Sequence, residues 1–446
     1  MLRAIDGHLK NWASSQKRRG LLVRGARQVG KTFSIRQLAK SFSSFVEVNF
    51  LETPEVAQFF KSGNLSPQSL IEKLQVYYGT MIVPGETLLF FDEIQSCPEA
   101  LTSLRFFHEK LPGLHLVAAG SLLEFALQEI PSHGVGRVES LFMYPLTFHE
   151  FLGATGNTLL ADEIERASSL NPLAGPLHSK SVDQFKLFSI MGGMPQVIQT
   201  YLESSDINKC QSVLEDLLLG YEDDFAKYKT RISHEKLRGV LYASALQAGK
   251  KFVYSHVSPG SSTSGYDQAL QLLELAGLVY KVYKSSSNGI PLGAEIDLKC
   301  FKVIPFDIGV FNSLLKLKPS EIVASDSNSF VHIGSLAEVA CGIEIVANTP
   351  PRQRPSLHYW CRQERGASSE VDYVVEKSNK IIPIEVKAGT RGRMQSLYYF
   401  LQEKKKDLGV RTSLENFSQF QTPEQKKSIV QVVPLYAVGK YANNNT

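Results

Sequence analysis

The chain has little cysteine, and its cysteines are not arranged in motifs. Its 446 residues include five: Cys97, Cys210, Cys300, Cys341 and Cys361. They lie far apart and form no CxxC pair. An odd and scattered set argues against a disulfide framework and against a zinc site, and it favours a reducing compartment.

Long apolar segments are also missing. The richest apolar stretches, Thr87–Phe91 and Leu141–Leu146, are far shorter than the roughly 20 residues that a membrane-spanning helix needs. The start of the sequence, Met1–Asp6, has no long apolar region of the kind found in signal peptides. We therefore expect a cytoplasmic protein without a membrane partner.

Neither sign of charge is in large excess. Lys and Arg number 48 and Asp and Glu number 44, which gives a formal net charge of +4. This balance permits a nucleic-acid partner without requiring one. The hydrophobic content of 43% is ordinary for a globular protein and excludes wholesale disorder, and the length allows about two to four domains.

Apolar periodicity divides the chain into four parts, and the predicted fold class is α/β. Residues 1–150 alternate short apolar strands with helical patterns, which indicates a parallel sheet covered by helices. Residues 151–230 lose the strand signal and predict a helical, lid-like region. Residues 231–311 predict two helices and a hairpin, as in a winged helix. Residues 330–446 predict a further α/β domain.

The second helix of the winged-helix-like segment is predicted at Tyr266–Leu275. It carries Asp267 and Glu274 and no Lys or Arg. An acidic helix suits the phosphates of DNA poorly, so this segment is expected to contact protein or to pack against another domain.

A complete phosphate-binding loop lies in the first part. The motif G-x-x-x-x-G-K-[ST] follows a buried strand and precedes a helix. Backbone N–H groups of such a loop face the phosphates of ATP, its lysine reaches the β- and γ-phosphates, and its hydroxyl binds Mg²⁺. The residues expected to bind ATP here are Gly25, Ala26, Arg27, Gln28, Val29, Gly30, Lys31 and Thr32.

Acidic and polar residues follow the other predicted strands of this part. Asp92 is expected to hold Mg²⁺ and Glu93 to polarise the attacking water, because ligands bind at the carboxyl ends of parallel strands. Ser121 follows the next strand, where it contacts the γ-phosphate or the lytic water, or else caps a helix. Arg137 precedes the fifth strand; it is a candidate arginine finger towards its own or a neighbouring nucleotide, or a solvated arginine.

A second set of carboxylates lies near the C-terminus. Asp372 and Glu385 are 13 residues apart, an interval that suits a hairpin of two adjacent strands, and strand alternation puts Glu385 and Lys387 on one face of the second strand. Glu338, on a preceding helix, can reach the same point. Glu338, Asp372 and Glu385 would then hold Mg²⁺, and Lys387 would help to prepare a water for phosphodiester cleavage. The alternatives are an exposed strand edge with cross-strand charges and a related fold that no longer cuts.

Arginines surround this second set in the sequence. They are expected either to line a groove that binds the phosphates of a nucleic acid or to form a solvated basic surface. They are Arg352, Arg354, Arg362, Arg365, Arg391 and Arg393.

Residues 20–150 resemble the AAA+ ATPases, and the whole chain resembles a prokaryotic family that joins such a domain to a characteristic C-terminal domain of unknown function. Ala26 departs from that family, which often has Pro there. The C-terminal set is similar to the motif of the PD-(D/E)xK nuclease superfamily. The stretches that carry the family resemblance are Gly25–Thr32, Leu89–Gln95, Gly136-Arg137, Pro145–Phe151 and Gly192–Pro195.

The resemblance implies ATP and Mg²⁺ as cofactors and self-association through Arg137. Two hypotheses remain open. The first is an ATP-hydrolysing switch or motor coupled to a nuclease-like domain that acts on nucleic acid. The second is a signalling ATPase whose C-terminal domain binds protein or DNA without cutting it. The residues expected to carry catalysis are Glu93, Ser121, Arg137, Glu338, Asp372, Glu385 and Lys387.

Overall fold

The computed structural model describes residues 1–61, 63, 65–129, 136–227, 232–260, 262–319, 334–364, 367–387, 394–423 and 428–442. The chain forms two compact units. The N-terminal unit comprises residues 2–144 and 351–354. The C-terminal unit comprises residues 145–350 and 355–446, together with Met1. Within the described residues, no helix is both long and apolar enough to cross a bilayer.

The N-terminal unit is built on a parallel sheet of five strands in the order β2-β3-β4-β1-β5. This confirms the α/β prediction for the first part of the chain. The strands are β1 (Gly20–Arg24), β2 (Ser44–Asn49), β3 (Thr87–Asp92), β4 (His115–Ala119) and β5 (Val138–Phe142). The helices are α1 (Ala4–Ser14), α2 (Lys31–Ala39), α3 (Ala57–Lys61), α4 (Pro67–Tyr78), α5 (Pro98–Lys110) and α6 (Leu123–Glu129).

An aromatic cluster fills one side of this sheet. Phe91 on β3 makes edge-to-face contacts with Phe50, Phe60 and Phe107, with ring centroids 5.5–6.1 Å apart. All four rings are buried. Because these contacts fix the last residues of β3 against α3 and α5, they hold the carboxyl end of the strand in place.

The C-terminal unit is built on a mixed sheet of eight strands in the order β12-β13-β11-β10-β9-β8-β6-β7. The strands are β6 (Val279–Ser285), β7 (Ile296–Pro305), β8 (Leu357–Glu364), β9 (Ala367–Lys377), β10 (Lys380–Val386), β11 (Leu408–Ser413), β12 (Ser418–Gln421) and β13 (Ile429–Pro434). The helices are α7 (Phe148–Ala154), α8 (Thr158–Arg166), α9 (Gly175–Met191), α10 (Pro195–Ser204), α11 (Ile207–Asp224), α12 (His234–Leu246), α13 (Tyr266–Leu275), α14 (Ile308–Leu314), α15 (Gly334–Ala347) and α16 (Gln395–Glu403).

The hairpin expected in the winged-helix-like segment belongs to this larger sheet. It consists of β6 and β7, and β6 also pairs in parallel with β8, with Tyr283 opposite His358. The segments 231–311 and 330–446, which the sequence analysis treated separately, therefore share one continuous sheet.

Two of the sequence stretches that carry the family resemblance meet at Gly193. The Leu146 N–H donates to the Gly193 carbonyl at 2.7 Å, and the Gly193 N–H donates to Asp307 Oδ2 at 2.7 Å. Asp307 in turn caps α14 by accepting from the Val310 N–H at 3.0 Å. A Cβ at Gly193 would lie 2.2 Å from the Leu146 carbonyl oxygen, so only glycine allows this approach.

We expect Gly193→Ala to lower the free energy of unfolding of the full chain by about 1–3 kcal/mol, because the added methyl group overpacks against backbone. Gly220→Ala is the matched control. Gly220 lies within α11 with open space around its Cα, so alanine there should stabilise by about 0.5–1 kcal/mol. Urea unfolding compares the two variants. Equal stability of both would contradict the packing argument.

Candidate functional sites

The phosphate loop lies between β1 and α2 and depends on its glycines. Gly25 has φ +145°, and a Cβ there would lie 2.1 Å from the Met143 carbonyl oxygen. Gly30 has φ +100° and begins α2. Gln28 also adopts a left-handed backbone, with φ +65°. The close approach of Met143 requires glycine at position 25, and the left-handed backbone favours glycine at position 30.

The apolar and basic residues of the loop have different surroundings. Ala26 and Val29 are buried and anchor the loop to the N-terminal unit. Arg3 supports the loop from outside, because its Nη1 donates to the Val29 carbonyl at 2.9 Å. Arg27 is half-buried and lies near enough to Lys31 to repel its charge.

Lys31 is buried and its ammonium is bonded to the loop itself. Its Nζ donates to the Gly25 carbonyl at 3.0 Å and to the Ala26 carbonyl at 2.7 Å. Burial lowers the pKa of Lys31 to about 8, although the charges of Glu93 and Asp92 oppose this shift. The partners of the ammonium are neutral carbonyls, so an anionic phosphate is a better partner for it.

Thr32 and Asp92 are in direct contact, as the predicted Mg²⁺ site requires. The Thr32 hydroxyl donates to Asp92 Oδ2 at 3.0 Å, and Asp92 Oδ1 accepts from the Glu93 N–H at 3.0 Å. Burial, and then the charge of Glu93, raise the pKa of Asp92 to about 6. A hydroxyl and a carboxylate side by side at a phosphate loop fit Mg²⁺, which prefers oxygen ligands.

Glu93 and Ser121 are also brought together, with a residue that the sequence analysis did not select. Glu93 Oε2 accepts from the Ser121 hydroxyl at 3.3 Å and from Gln95 Nε2 at 2.5 Å. A Cβ at Gly120 would lie 2.0 Å from Gln95 Oε1, so the glycine makes room for this amide. Gln95 therefore orients the carboxylate of Glu93. Its position two residues after Glu93 gave no sign of this contact.

Arg137 is not brought to the phosphate loop of its own chain. It precedes β5, which runs parallel to β1 with Val138 opposite Gly20, so it lies at the amino edge of the sheet. The loop lies at the carboxyl edge. The Arg137 guanidinium pairs with Glu109 and its side chain is 49% exposed. The role towards its own nucleotide lacks support from this geometry, and the role towards a neighbouring copy stays a prediction.

The expected basic groove along the C-terminal cluster does not form from Arg352 and Arg354. Both belong to the N-terminal unit, where Arg352 pairs with Glu139 at 2.9 Å and Arg354 with Glu124 at 2.8 Å. Glu124 also pairs with Arg24, the residue before the phosphate loop.

The remaining arginines of the expected groove lie in the C-terminal part of the chain. Arg362 pairs with Glu403 at 3.3 Å and its guanidinium lies 4.8 Å from the centroid of the Tyr399 ring. Arg365, Arg391 and Arg393 lie outside the described residues.

In the C-terminal unit, Asp372, Glu385 and Lys387 lie close together on adjacent strands. Lys387 Nζ is 2.6 Å from Glu385 Oε1, and Asp372 Oδ2 accepts from the Val386 N–H at 2.7 Å. The other oxygen of Glu385, Oε2, is buried and has no hydrogen-bond partner. The pairing of β9 with β10 thus confirms that these strands lie side by side, as the spacing of the residues predicted.

Glu338 joins this cluster through a lysine and a glutamate that sequence reasoning missed. Lys302 Nζ on β7 is 2.7 Å from Glu338 Oε1 and 2.6 Å from Glu370 Oε1. Asp372 acts electrostatically on both Lys302 and Glu338. Nothing in the alternation of β7 indicates a buried lysine.

Burial and the neighbouring charges together set the pKa values in this cluster. Burial raises the pKa of Glu338 to about 7, against the opposing charge of Lys302. Burial and then repulsion from Asp372 raise the pKa of Glu385 to about 7. For Lys302 burial alone would lower the pKa, but Glu338, Glu370 and Asp372 together raise it.

The cluster does not present the donor set that was expected for Mg²⁺. Across the described parts of the chain, no group of three or more His, Cys, Asp or Glu side chains is arranged to hold a metal ion. Glu338 and Glu370 face the ammonium of Lys302, and Glu385 faces that of Lys387. The prediction of a metal bound by Glu338, Asp372 and Glu385 therefore does not fit this arrangement of the side chains.

The first part of the chain matches a known protein family. A family model described as an AAA domain matches residues 17–152. This part of the chain is an AAA domain that contains the complete phosphate loop. Two further models match the rest, each described as a domain of unknown function: DUF8612 at residues 182–321 and DUF4143 at residues 333–438. No curated protein matches the chain at a significant level.

Solved structures show a distant likeness. A Walker-type ATPase of Pyrococcus abyssi is 15% identical, covers 70% of this chain and 96% of its own, and has a TM-score of 0.45. The ORC1 protein of Aeropyrum pernix, solved in complex with DNA, is 12% identical, covers 71% of this chain and 93% of its own, and has a TM-score of 0.30. Likenesses this distant carry no argument about activity.

The raised pKa of Glu385 makes stability depend on pH. Its folded pKa of about 7 exceeds the unfolded value of about 4.3, so the stabilisation is complete below about pH 4.3 and is lost as pH rises through about 7. Glu385→Gln removes this titration. Between about pH 5 and pH 8 we expect its free energy of unfolding, measured in urea, to change by roughly 1–3 kcal/mol less than that of the wild type.

The exposed Glu235 on α12 provides the control for this measurement. Glu235→Gln should keep the wild-type pH profile. A Glu385→Gln profile that also follows the wild type would show that Glu385 does not titrate in this range.

Proposed function

We propose that the protein is an ATP-hydrolysing switch. The observation that carries this proposal is the contact of Thr32 with Asp92 next to the buried ammonium of Lys31, with Glu93 held by Gln95 and Ser121. These residues supply phosphate binding, a fitting place for Mg²⁺ and a carboxylate for the attacking water at one edge of the sheet.

The chain's own residues have separate tasks in this scheme. Lys31 exchanges the carbonyls of Gly25 and Ala26 for the β- and γ-phosphates. Thr32 and Asp92 would hold Mg²⁺, which supplies charge neutralisation at the phosphates when it is bound. Glu93 orients a water and accepts its proton, and the hydrogen bonds from Gln95 and Ser121 fix the direction in which its carboxylate points.

Two variants separate binding from hydrolysis. Lys31→Ala should weaken ATP binding at least about a hundredfold, because it removes the charge that faces the phosphates. Glu93→Gln should keep ATP binding but lower the hydrolysis rate by roughly 10²–10⁴, because a carboxamide cannot accept the proton. Titration calorimetry and phosphate release measure the two steps.

Matched controls come from the same unit. Lys40→Ala changes an exposed lysine just after α2, and Glu109→Gln changes the exposed partner of Arg137. Both should bind and hydrolyse ATP as the wild type does in dilute protein. Wild-type affinity in Lys31→Ala would contradict the site.

The C-terminal domain allows two functions, each favoured by a different observation. The proximity of Asp372, Glu385 and Lys387 favours a nuclease coupled to the switch, because these are the groups of the expected motif. The ion pairs of Lys302 with Glu338 and Glu370 favour a regulatory ATPase that does not cut, because they satisfy the carboxylates without a metal.

A cleavage assay separates these functions. Labelled single- and double-stranded DNA and RNA are incubated with the full chain, with Mg²⁺ or Mn²⁺, and with or without ATP. A coupled nuclease should give metal-dependent fragments that Lys387→Ala loses and that Lys380→Ala, at the exposed start of β10, retains. Intact substrates under all of these conditions would contradict the nuclease and support the regulatory ATPase.

A further inference from the structure

Lys302 occupies an unusual place for a lysine. Its side chain is 1% exposed, although β7 lies at one end of the sheet order. Its ammonium lies between two carboxylates, 2.7 Å from Glu338 Oε1 and 2.6 Å from Glu370 Oε1, and 5.0 Å from the centroid of the Tyr359 ring. A buried charge is stable only when it is paired and hydrogen-bonded, and here carboxylates and an aromatic face meet that requirement.

The second oxygen of Glu338 is enclosed as well. The turn after α12 brings Gly249, with φ +77°, so close that a Cβ there would lie 2.8 Å from Glu338 Oε2. The Tyr373 hydroxyl donates to the Glu338 backbone carbonyl at 2.9 Å and fixes this part of α15 against β9. One carboxylate oxygen therefore faces Lys302 and the other faces a close-packed turn.

We propose that Lys302 is the resident cation of this acidic cluster and takes the place that a divalent ion would otherwise fill. The ammonium of Lys302 pairs with both Glu338 on α15 and Glu370 on β9. Lys387 pairs in the same way with Glu385 on β10. Each lysine is supplied by the fold, so Glu338, Glu370 and Glu385 each have an ammonium partner without a metal.

Geometry explains why a lysine and a metal exclude each other here. Mg²⁺ requires several oxygens at about 2.0–2.1 Å around one point, whereas an ammonium is bonded at hydrogen-bond distance. Removing the ammonium leaves the buried Glu338 without its cation, which is strongly unfavourable, and leaves the more exposed Glu370 without its ion pair. A divalent ion relieves that cost, so the cluster should gain metal affinity when Lys302 loses its charge. This inference depends neither on ATP hydrolysis nor on cleavage.

Calorimetric titration of the nucleotide-free full chain with Mn²⁺ tests the proposal. All proteins carry Asp92→Asn, so that the phosphate loop does not contribute a second ion. Lys302→Met keeps the length of the side chain but removes its charge. We expect it to bind one Mn²⁺ at least about tenfold more tightly than the parent and to be stabilised by Mn²⁺. Lys302→Arg should behave as the parent does.

Lys281→Met is the matched control, because Lys281 lies on the neighbouring strand β6 and pairs with Glu274 at 2.8 Å, away from the cluster. It should not gain Mn²⁺ affinity. A folded Lys302→Met protein that takes no Mn²⁺ would overturn the proposal.

A second measurement does not depend on the folding of Lys302→Met. Glu338→Gln and Asp372→Asn are introduced separately into the Asp92→Asn parent, which keeps Lys302. We expect Mn²⁺ binding to be unchanged by either substitution, because the parent holds no metal at the cluster. Tight Mn²⁺ binding by the parent that either substitution abolishes would show that the metal, and not Lys302, is the resident cation.

Discussion

A buried ammonium must find oxygen atoms to replace its water, and this requirement shapes both candidate sites. Lys31 and Lys302 meet it with different partners. Lys31 is bonded to the carbonyls of Gly25 and Ala26, which are dipoles without net charge. Lys302 is bonded to the carboxylates of Glu338 and Glu370. Burial consequently lowers the pKa of Lys31, whereas the carboxylates raise that of Lys302.

The contacts of Thr32 with Asp92 and of Glu93 with Ser121 could be expected from sequence because these residues follow a regular pattern. The loop and the acidic pair each come directly after a buried strand, and parallel strands place their carboxyl ends at one edge. Gln95 was missed because its role depends on the close approach of Gly120, which lies on another strand end. Arg137 does precede β5, as predicted. The parallel pairing of β5 with β1 nevertheless puts it at the amino edge of the sheet, whereas the phosphate loop lies at the carboxyl edge.

Glu338, Asp372, Glu385 and Lys387 of the C-terminal cluster were predictable from sequence, whereas Lys302 and Glu370 were not. Asp372, Glu385 and Lys387 are close in sequence, so hairpin pairing and strand alternation were enough to bring them together. Lys302 comes from a hairpin that joins the sheet through β6 and β8, and this pairing has no local signal. Arg352 and Arg354 were misjudged for a related reason, because the chain returns to the N-terminal unit for four residues between α15 and β8.

The difference in partners decides what each lysine can do. A lysine bonded to neutral carbonyls gains when an anion arrives, so Lys31 is suited to exchange its partners each time a nucleotide binds and leaves. A lysine between carboxylates already has its anions, and withdrawing the ammonium of Lys302 would leave the buried Glu338 without its cation. Lys302 is therefore suited to stay where it is. Under the proposed function, the phosphate loop exchanges its ligand, whereas the acidic cluster keeps a cation that the chain itself provides.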